Sequence, residues 1–135
     1  MNFVNWDDSY NLGIKEIDIQ HRGLFDLINR LSKTRTYEHA DKYFIATMST
    51  LIDYAQLHFK TEERYMEQAQ YAKLVEHRKE HSDFISRFRN LIEDLEKDNS
   101  STQQKILDFL NEWYMTHILG IDRDYVPSLK SKGFM

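Results

Sequence analysis

Five of the six histidines in this chain fall on the apolar stripes of segments with helical periodicity, and that placement constrains the fold more than any other feature. Over residues 18–34, His21, Leu24, Ile28 and Leu31 recur at steps of three or four. Over 38–69 the stripe reads Phe44, Met48, Leu51, Ala55, His58, Glu62 and Tyr65. Over 71–97 it reads Leu74, His77, His81, Phe84, Phe88, Leu91 and Leu95, and over 102–119 Ile106, Leu110, Trp113 and His117. Such narrow seams mark helices that pack nearly antiparallel. A chain with these faces must carry titratable side chains into its own core.

The connections at 35–37, 68–70 and 98–101 are short, and short links join antiparallel neighbours. The expected fold is therefore all-α, an up-down-up-down antiparallel four-helix bundle. An N-terminal arm of about seventeen residues precedes it and a short C-terminal tail follows Gly120. Only four glycines and one proline interrupt the sequence, which suits long helices. Asp98, Asn99, Ser100 and Ser101 are turn and N-cap residue types. Gly120 suits a helix C-cap. With no internal repeat or linker, residues 1–135 are expected to form one domain.

Residues four apart on a helix sit about 40° apart around it and about 6 Å along it. His58 and Glu62 can therefore face one point, as can His77 and His81. His21 lies near the start of its helix, His58 toward the end of its own, His77 near a start and His117 at an end. In an antiparallel bundle all these positions fall at one level. Asp122, just past Gly120, can turn back toward the bundle axis.

Burying this many titratable groups without a charge partner costs several kcal/mol. A bound cation removes that cost. Imidazole with carboxylate suits iron, zinc, copper or nickel. Seven ligands exceed what one tetrahedral zinc takes, so two adjacent metals are the expected reading.

The pattern His21, His58-x3-Glu62, His77-x3-His81, His117-x4-Asp122 resembles the hemerythrin family. The resemblance extends to the arm (Trp6, Tyr10, Gly13-Ile14, Ile17-Asp18, Gln20-His21) and to Trp113-x3-His117-Ile118. It implies a cofactor of two iron ions with an oxo or hydroxo bridge. One iron would be held by His21 and His58, the other by His77, His81 and His117, with Glu62 and Asp122 bridging. Counting ligands then leaves one position open, on the iron of His21 and His58, where dioxygen binds reversibly.

The implied function is oxygen carriage, storage or delivery, not enzymatic turnover. The alternatives are an oxygen, redox or iron sensor, a di-iron enzyme acting on peroxide or nitric oxide, and an iron store. Di-iron oxygenases of the ferritin-like type use more carboxylates and fewer histidines, and an imidazole-rich set favours high-valent iron less.

In the resembling proteins the position of Tyr114 lines the dioxygen pocket and is usually leucine. Leu119, Phe59, Trp113 and Ile118 are expected to complete its apolar walls. Gln20, Asp18 and Glu63 are candidates to orient the ligand imidazoles through their distal N–H groups. His39, far along the axis from His58, is expected on the surface.

Composition narrows the partners. A net charge of −4 and the absence of long basic runs argue against nucleic acid. No stretch reaches the length of a membrane span. Cysteine is absent and the first residues carry no secretory pattern, so a cytoplasmic monomer is expected. Dioxygen is the expected ligand and an oxygen-consuming enzyme its recipient.

Overall fold

The computed structural model describes residues 3–36, 38 and 40–134. His39 lies outside the described residues. Four helices run back and forth as expected: α1 Lys15–Thr34, α2 Ala40–Gln68, α3 Leu74–Lys97 and α4 Asn99–Trp113. Among the described residues there is no strand. No helix among them is long and apolar enough to cross a membrane.

The helix ends show local physical causes. Asp98 closes α3 and caps α4, its Oδ1 accepting the Ser101 N–H at 3.4 Å. The α3–α4 link is therefore one residue, shorter than the sequence suggests. At the end of α2 the Tyr71 N–H reaches the Met66 carbonyl (2.9 Å) and the Gln70 N–H the Glu67 carbonyl (3.1 Å). Gln70 takes the left-handed conformation this closure demands, at φ 55°. The turn occupies residues that the periodicity assigned to α3, so α3 starts at Leu74.

The arm is tied down, not loose. The Asn29 side chain accepts the Val4 N–H and donates to the Val4 carbonyl. The Asp18 carboxylate accepts the N–H groups of Leu12 and Gly13 at 2.7 and 3.0 Å.

Beyond α4 the structure departs most from the expected simple helix and tail. Residues Tyr114–Ile118 form a π turn, closed by the Leu119 N–H on the Tyr114 carbonyl at 3.2 Å. A 3-10 turn, Ile121–Tyr125, and a short helix α5, Val126–Ser131, follow. Gly120 is not a left-handed cap; its φ is −115°. It is glycine for another reason: a Cβ there would lie 2.6 Å from the Thr116 carbonyl oxygen.

Buried residues form two clusters. The larger runs along the bundle through Leu24, Ile28, Leu51, Phe84, Phe88 and Leu110. The smaller closes the other end and joins Leu12, Ile14, Ile17, Met66, Tyr125 and Leu129. The arm and α5 thus build a floor. Between the two apolar clusters lies a layer of buried polar side chains.

Candidate metal centre

The seven residues singled out in the sequence all lie in that layer, each 3 % exposed or less. α1 delivers His21, α2 His58 and Glu62, α3 His77 and His81, the π turn His117, and the 3-10 turn Asp122. Asp122 and His117 depend on the irregular segment. Five residues apart on an α-helix they would diverge by about 140°. The π turn followed by the 3-10 turn lets both point inward, and π turns often mark functional sites.

Ligand atoms gather into two groups. One joins His77, His81, His117 and Asp122; the other joins His21, His58, Glu62 and Asp122. Asp122 belongs to both. Its Oδ2 lies 3.1 Å from His21 Nε2, and its Oδ1 lies 3.0 and 3.1 Å from Nε2 of His77 and His117. Glu62 also spans them: Oε1 is 2.5 Å from His58 Nε2, while Oε2 is 3.9 Å from His77 Nε2.

Two imidazoles are fixed through their other nitrogen, and a third has a carboxylate beside it. Gln20 Nε2 donates to Thr61 Oγ1 at 3.0 Å, which leaves Gln20 Oε1 to accept from His58 Nδ1 at 2.7 Å. Glu63 accepts from His81 Nδ1 at 2.8 Å and is itself held by Arg78. Glu80 lies 3.1 Å from His117 Nδ1. With Nδ1–H committed outward, the neutral rings of His58 and His81 turn an Nε2 lone pair toward the carboxylates.

Gln20 and Glu63 fulfil the role expected of them. Asp18 does not; it holds the arm instead. Glu80 was not among the candidates, because its approach to His117 crosses from α3 to another segment and leaves no trace in local spacing.

The fit to a cation follows from what these atoms lack. The Nε2 atoms of all five histidines and all four oxygens of Glu62 and Asp122 are buried without a hydrogen-bond partner. Such atoms are seldom left alone in a folded core. Lone pairs facing lone pairs at these distances repel unless positive charge lies between them.

In the metal-free chain protons supply part of that charge. Burial lowers the His117 imidazole, but Asp122 beside it outweighs burial and lifts it to about 9. Burial dominates at His58 and lowers it. Burial raises Asp122, but the neighbouring His117 and the other imidazoles outweigh this and hold it well below the usual carboxylate range.

Aromatic rings brace the centre. Phe59 stacks on His81 at 3.9 Å and 10°, and Trp113 on His117 at 4.8 Å and 13°. Phe59, Tyr114 and Ile118 are buried in the larger cluster, with Trp113 and Leu119 packed against it. Tyr114 is 1 % exposed, its hydroxyl has no hydrogen-bond partner, and its ring meets Phe25 at 5.9 Å. Burial pushes its phenol far up, with Tyr10 adding to the effect, so it stays protonated. Tyr125, also missed in the sequence, is fully buried beneath the centre, its ring 5.6 Å from that of His77.

The Hemerythrin HHE cation binding domain family matches residues 12–129. A bacteriohemerythrin of Clostridium acetobutylicum is 37 % identical over 127 residues, covering 90 % of this chain and 97 % of that protein. A myohemerythrin of Riftia pachyptila is 31 % identical, covering 92 % of each. Among solved structures, a hemerythrin mutant with one leucine replaced by tyrosine superimposes with a TM-score of 0.85 at 28 % identity, covering 96 % of this chain and 98 % of that one. Wild-type hemerythrin superimposes with a TM-score of 0.84 at 26 % identity, covering 94 % and 98 %. With this agreement along nearly the whole length, and with the buried histidine and carboxylate layer in place, the chain belongs to the hemerythrin family.

Proposed function

We propose that the chain binds dioxygen reversibly at a non-haem di-iron centre, as an oxygen carrier or store and not as an enzyme. The observation that carries this reading is the convergence of nine buried, unpartnered ligand atoms into two groups that share Asp122. The hemerythrins and myohemerythrin to which the chain is similar support it.

In this reading His77, His81 and His117 would hold one iron and His21 and His58 the other, with Glu62 and Asp122 available to both. A ferrous pair held there supplies the two electrons that reversible dioxygen binding needs. The chain's own residues do the rest. Gln20 and Glu63 fix ring orientation, and Glu80 lies beside the His117 ring. Phe59 and Trp113 stack on His81 and His117 and cover one face of each ring. The side of His21 and His58 has one imidazole fewer, which would leave room there for dioxygen. Phe25, one turn beyond His21, packs against Tyr114. Ile118 and Leu119 extend the apolar wall, which would keep water from the site.

The test is spectroscopic. Protein loaded with ferrous iron without air is exposed to dioxygen and then purged with argon. A visible charge-transfer band that appears and fades on purging is the expected result. Immediate, lasting conversion to a ferric spectrum would contradict the carrier role while leaving the iron site intact.

Tyr114 refines the reading. Its buried hydroxyl lacks a partner within the chain and would be available to donate to dioxygen. One such hydrogen bond is worth about 0.5–1.5 kcal/mol. Tyr114→Phe, which keeps the ring, is therefore expected to release dioxygen about two- to tenfold faster, measured as band decay under argon. Unchanged decay would make the hydroxyl a passive core group.

A further inference from the structure

Two cavities open along the outer side of the seam between α2 and α3. One, of about 450 Å³, lies beside His81, with Gln56, Phe59 and Lys60 of α2 facing Ser82, Ile85 and Arg89 of α3. The other, of about 370 Å³, lies toward the far end of the bundle, with Ile45, Met48 and Ile52 facing Ile92, Leu95 and Glu96. They belong to one groove. On α2 the lining positions Ile45, Ser49, Ile52, Gln56 and Lys60 recur at steps of three or four. On α3 Ser82, Ile85, Arg89, Ile92 and Glu96 do the same. Residues so spaced share one helix face, so the two cavities are the two ends of a single channel.

The channel is apolar along its length and basic at one end. Met48, Phe59 and Leu95 are buried in its walls, and Ile52, Ile85 and Ile92 are half-buried. At the end beside His81 two cations, Lys60 and Arg89, enter the same cavity. Both are exposed and neither makes an ion pair among the described residues. The acid at that end, Glu63, is already held by Arg78 and His81. At the other end the one charged residue of the lining is Glu96. The occupant this pattern fits has an anionic head at Lys60 and Arg89 and an apolar body directed away from them. Its width follows from the dimensions. From Ile45 to Lys60 the groove follows α2 for about 22 Å. Spread over that length, the two cavities leave a cross-section of roughly 40 Å². A partner helix, about 10–12 Å across with its side chains, needs roughly twice that or more. A single extended acyl chain does not.

We propose that the α2–α3 groove binds a long-chain fatty acid, its carboxylate between Lys60 and Arg89 and its acyl chain running past Ile85, Ile52 and Ile92 toward Ile45. Burial of apolar surface supplies the attraction along the chain, and charge-assisted hydrogen bonds fix its direction. The site stands apart from the di-iron reading, since no lining residue except His81 belongs to the ligand set. Its head end is nonetheless one ring from the centre, because Phe59 stacks on His81 at 3.9 Å.

The test is calorimetric titration of the full chain, freed of any lipid carried through purification, with palmitate kept below the concentration at which it aggregates. One palmitate per chain should bind saturably. Lys60→Gln with Arg89→Gln, both at exposed positions, should weaken binding about tenfold or more. Lys105→Gln with Lys132→Gln, an equal charge change at exposed positions outside the groove, should bind as the parent does. Ile52→Gln with Ile92→Gln should weaken binding to a similar degree, with thermal melting used to confirm that the variant is folded. Hexadecyltrimethylammonium, which has the same apolar body and the opposite head charge, should bind at least about tenfold more weakly than palmitate. Absence of saturable palmitate binding would overturn the proposal. So would equal affinities for the two amphiphiles, or equal affinities of the two lysine and arginine variants. Association with vesicles of phosphatidylglycerol without uptake of free palmitate would also overturn it, and would make the groove a membrane-facing surface instead.

Discussion

Replacing Asp122 by asparagine is expected to reduce iron uptake from a pair of ions per chain to a single ion or none. The carboxylate is fully buried and lies within 3.1 Å of Nε2 atoms of His21, His77 and His117, which come from α1, α3 and the π turn. Asparagine keeps the shape but offers one oxygen where two are needed. Its amide N–H₂ would face imidazole lone pairs and satisfy one of them, in the place of a cation. Glu62 spans the two groups less closely, its Oε2 lying 3.9 Å from His77 Nε2, so it does not replace the lost oxygen. Iron content after anaerobic loading and desalting gives the answer. Asp124→Asn, two residues away and exposed, should retain the pair. A full pair in Asp122→Asn would show that the carboxylate is not shared and that the proposed ligand set is wrong.

That prediction turns on a residue whose position was only half legible in the sequence. His58 with Glu62, and His77 with His81, follow from helical spacing alone, because a regular helix maps sequence distance onto direction. Their level in the bundle follows from antiparallel packing. Asp122 could be named only as a residue able to turn inward. What turns it is the π turn at Tyr114–Ile118, a change in hydrogen-bond register that no residue type announces.

The floor was equally hidden. Tyr125 and Leu129 lie in a segment too short to show periodicity, yet both are fully buried and close the end of the bundle with Ile14 and Ile17. Glu80 illustrates a third limit. Its partner is 37 residues away, since the contact is between His117 and Glu80, and only tertiary packing brings them together. Asp18 shows the converse. It sits one helical step from the ligand set and was a reasonable ring partner, but two free backbone N–H groups at the arm compete for its carboxylate and win.

The largest effect on stability should come from removing the metal. Each ion present at a thousand times its dissociation constant stabilises the fold by about 4 kcal/mol. For a domain of this size a kcal/mol corresponds to roughly 3 °C in Tm, so chelating both ions should lower the thermal midpoint by roughly 20 °C or more. The structure explains why the loss cannot be absorbed locally. Gln20 and Glu63 hold two ring nitrogens outward and Glu80 lies beside a third, while Phe59 and Trp113 stack against two of the rings. His58 and His81 therefore cannot rotate to find other partners, and Trp113 restrains His117. The carboxylates are fully buried and cannot reach water. Protonation of His117 offsets part of the negative charge but leaves most of the nine inward atoms without a partner. Calorimetry of the iron-loaded chain, the chelated chain and the reloaded chain tests this directly. The expected order has reloading restore the loaded midpoint. A chelated chain that melts with the loaded one would mean that these buried groups satisfy one another without a cation, and the case for a metal centre built on them would fail.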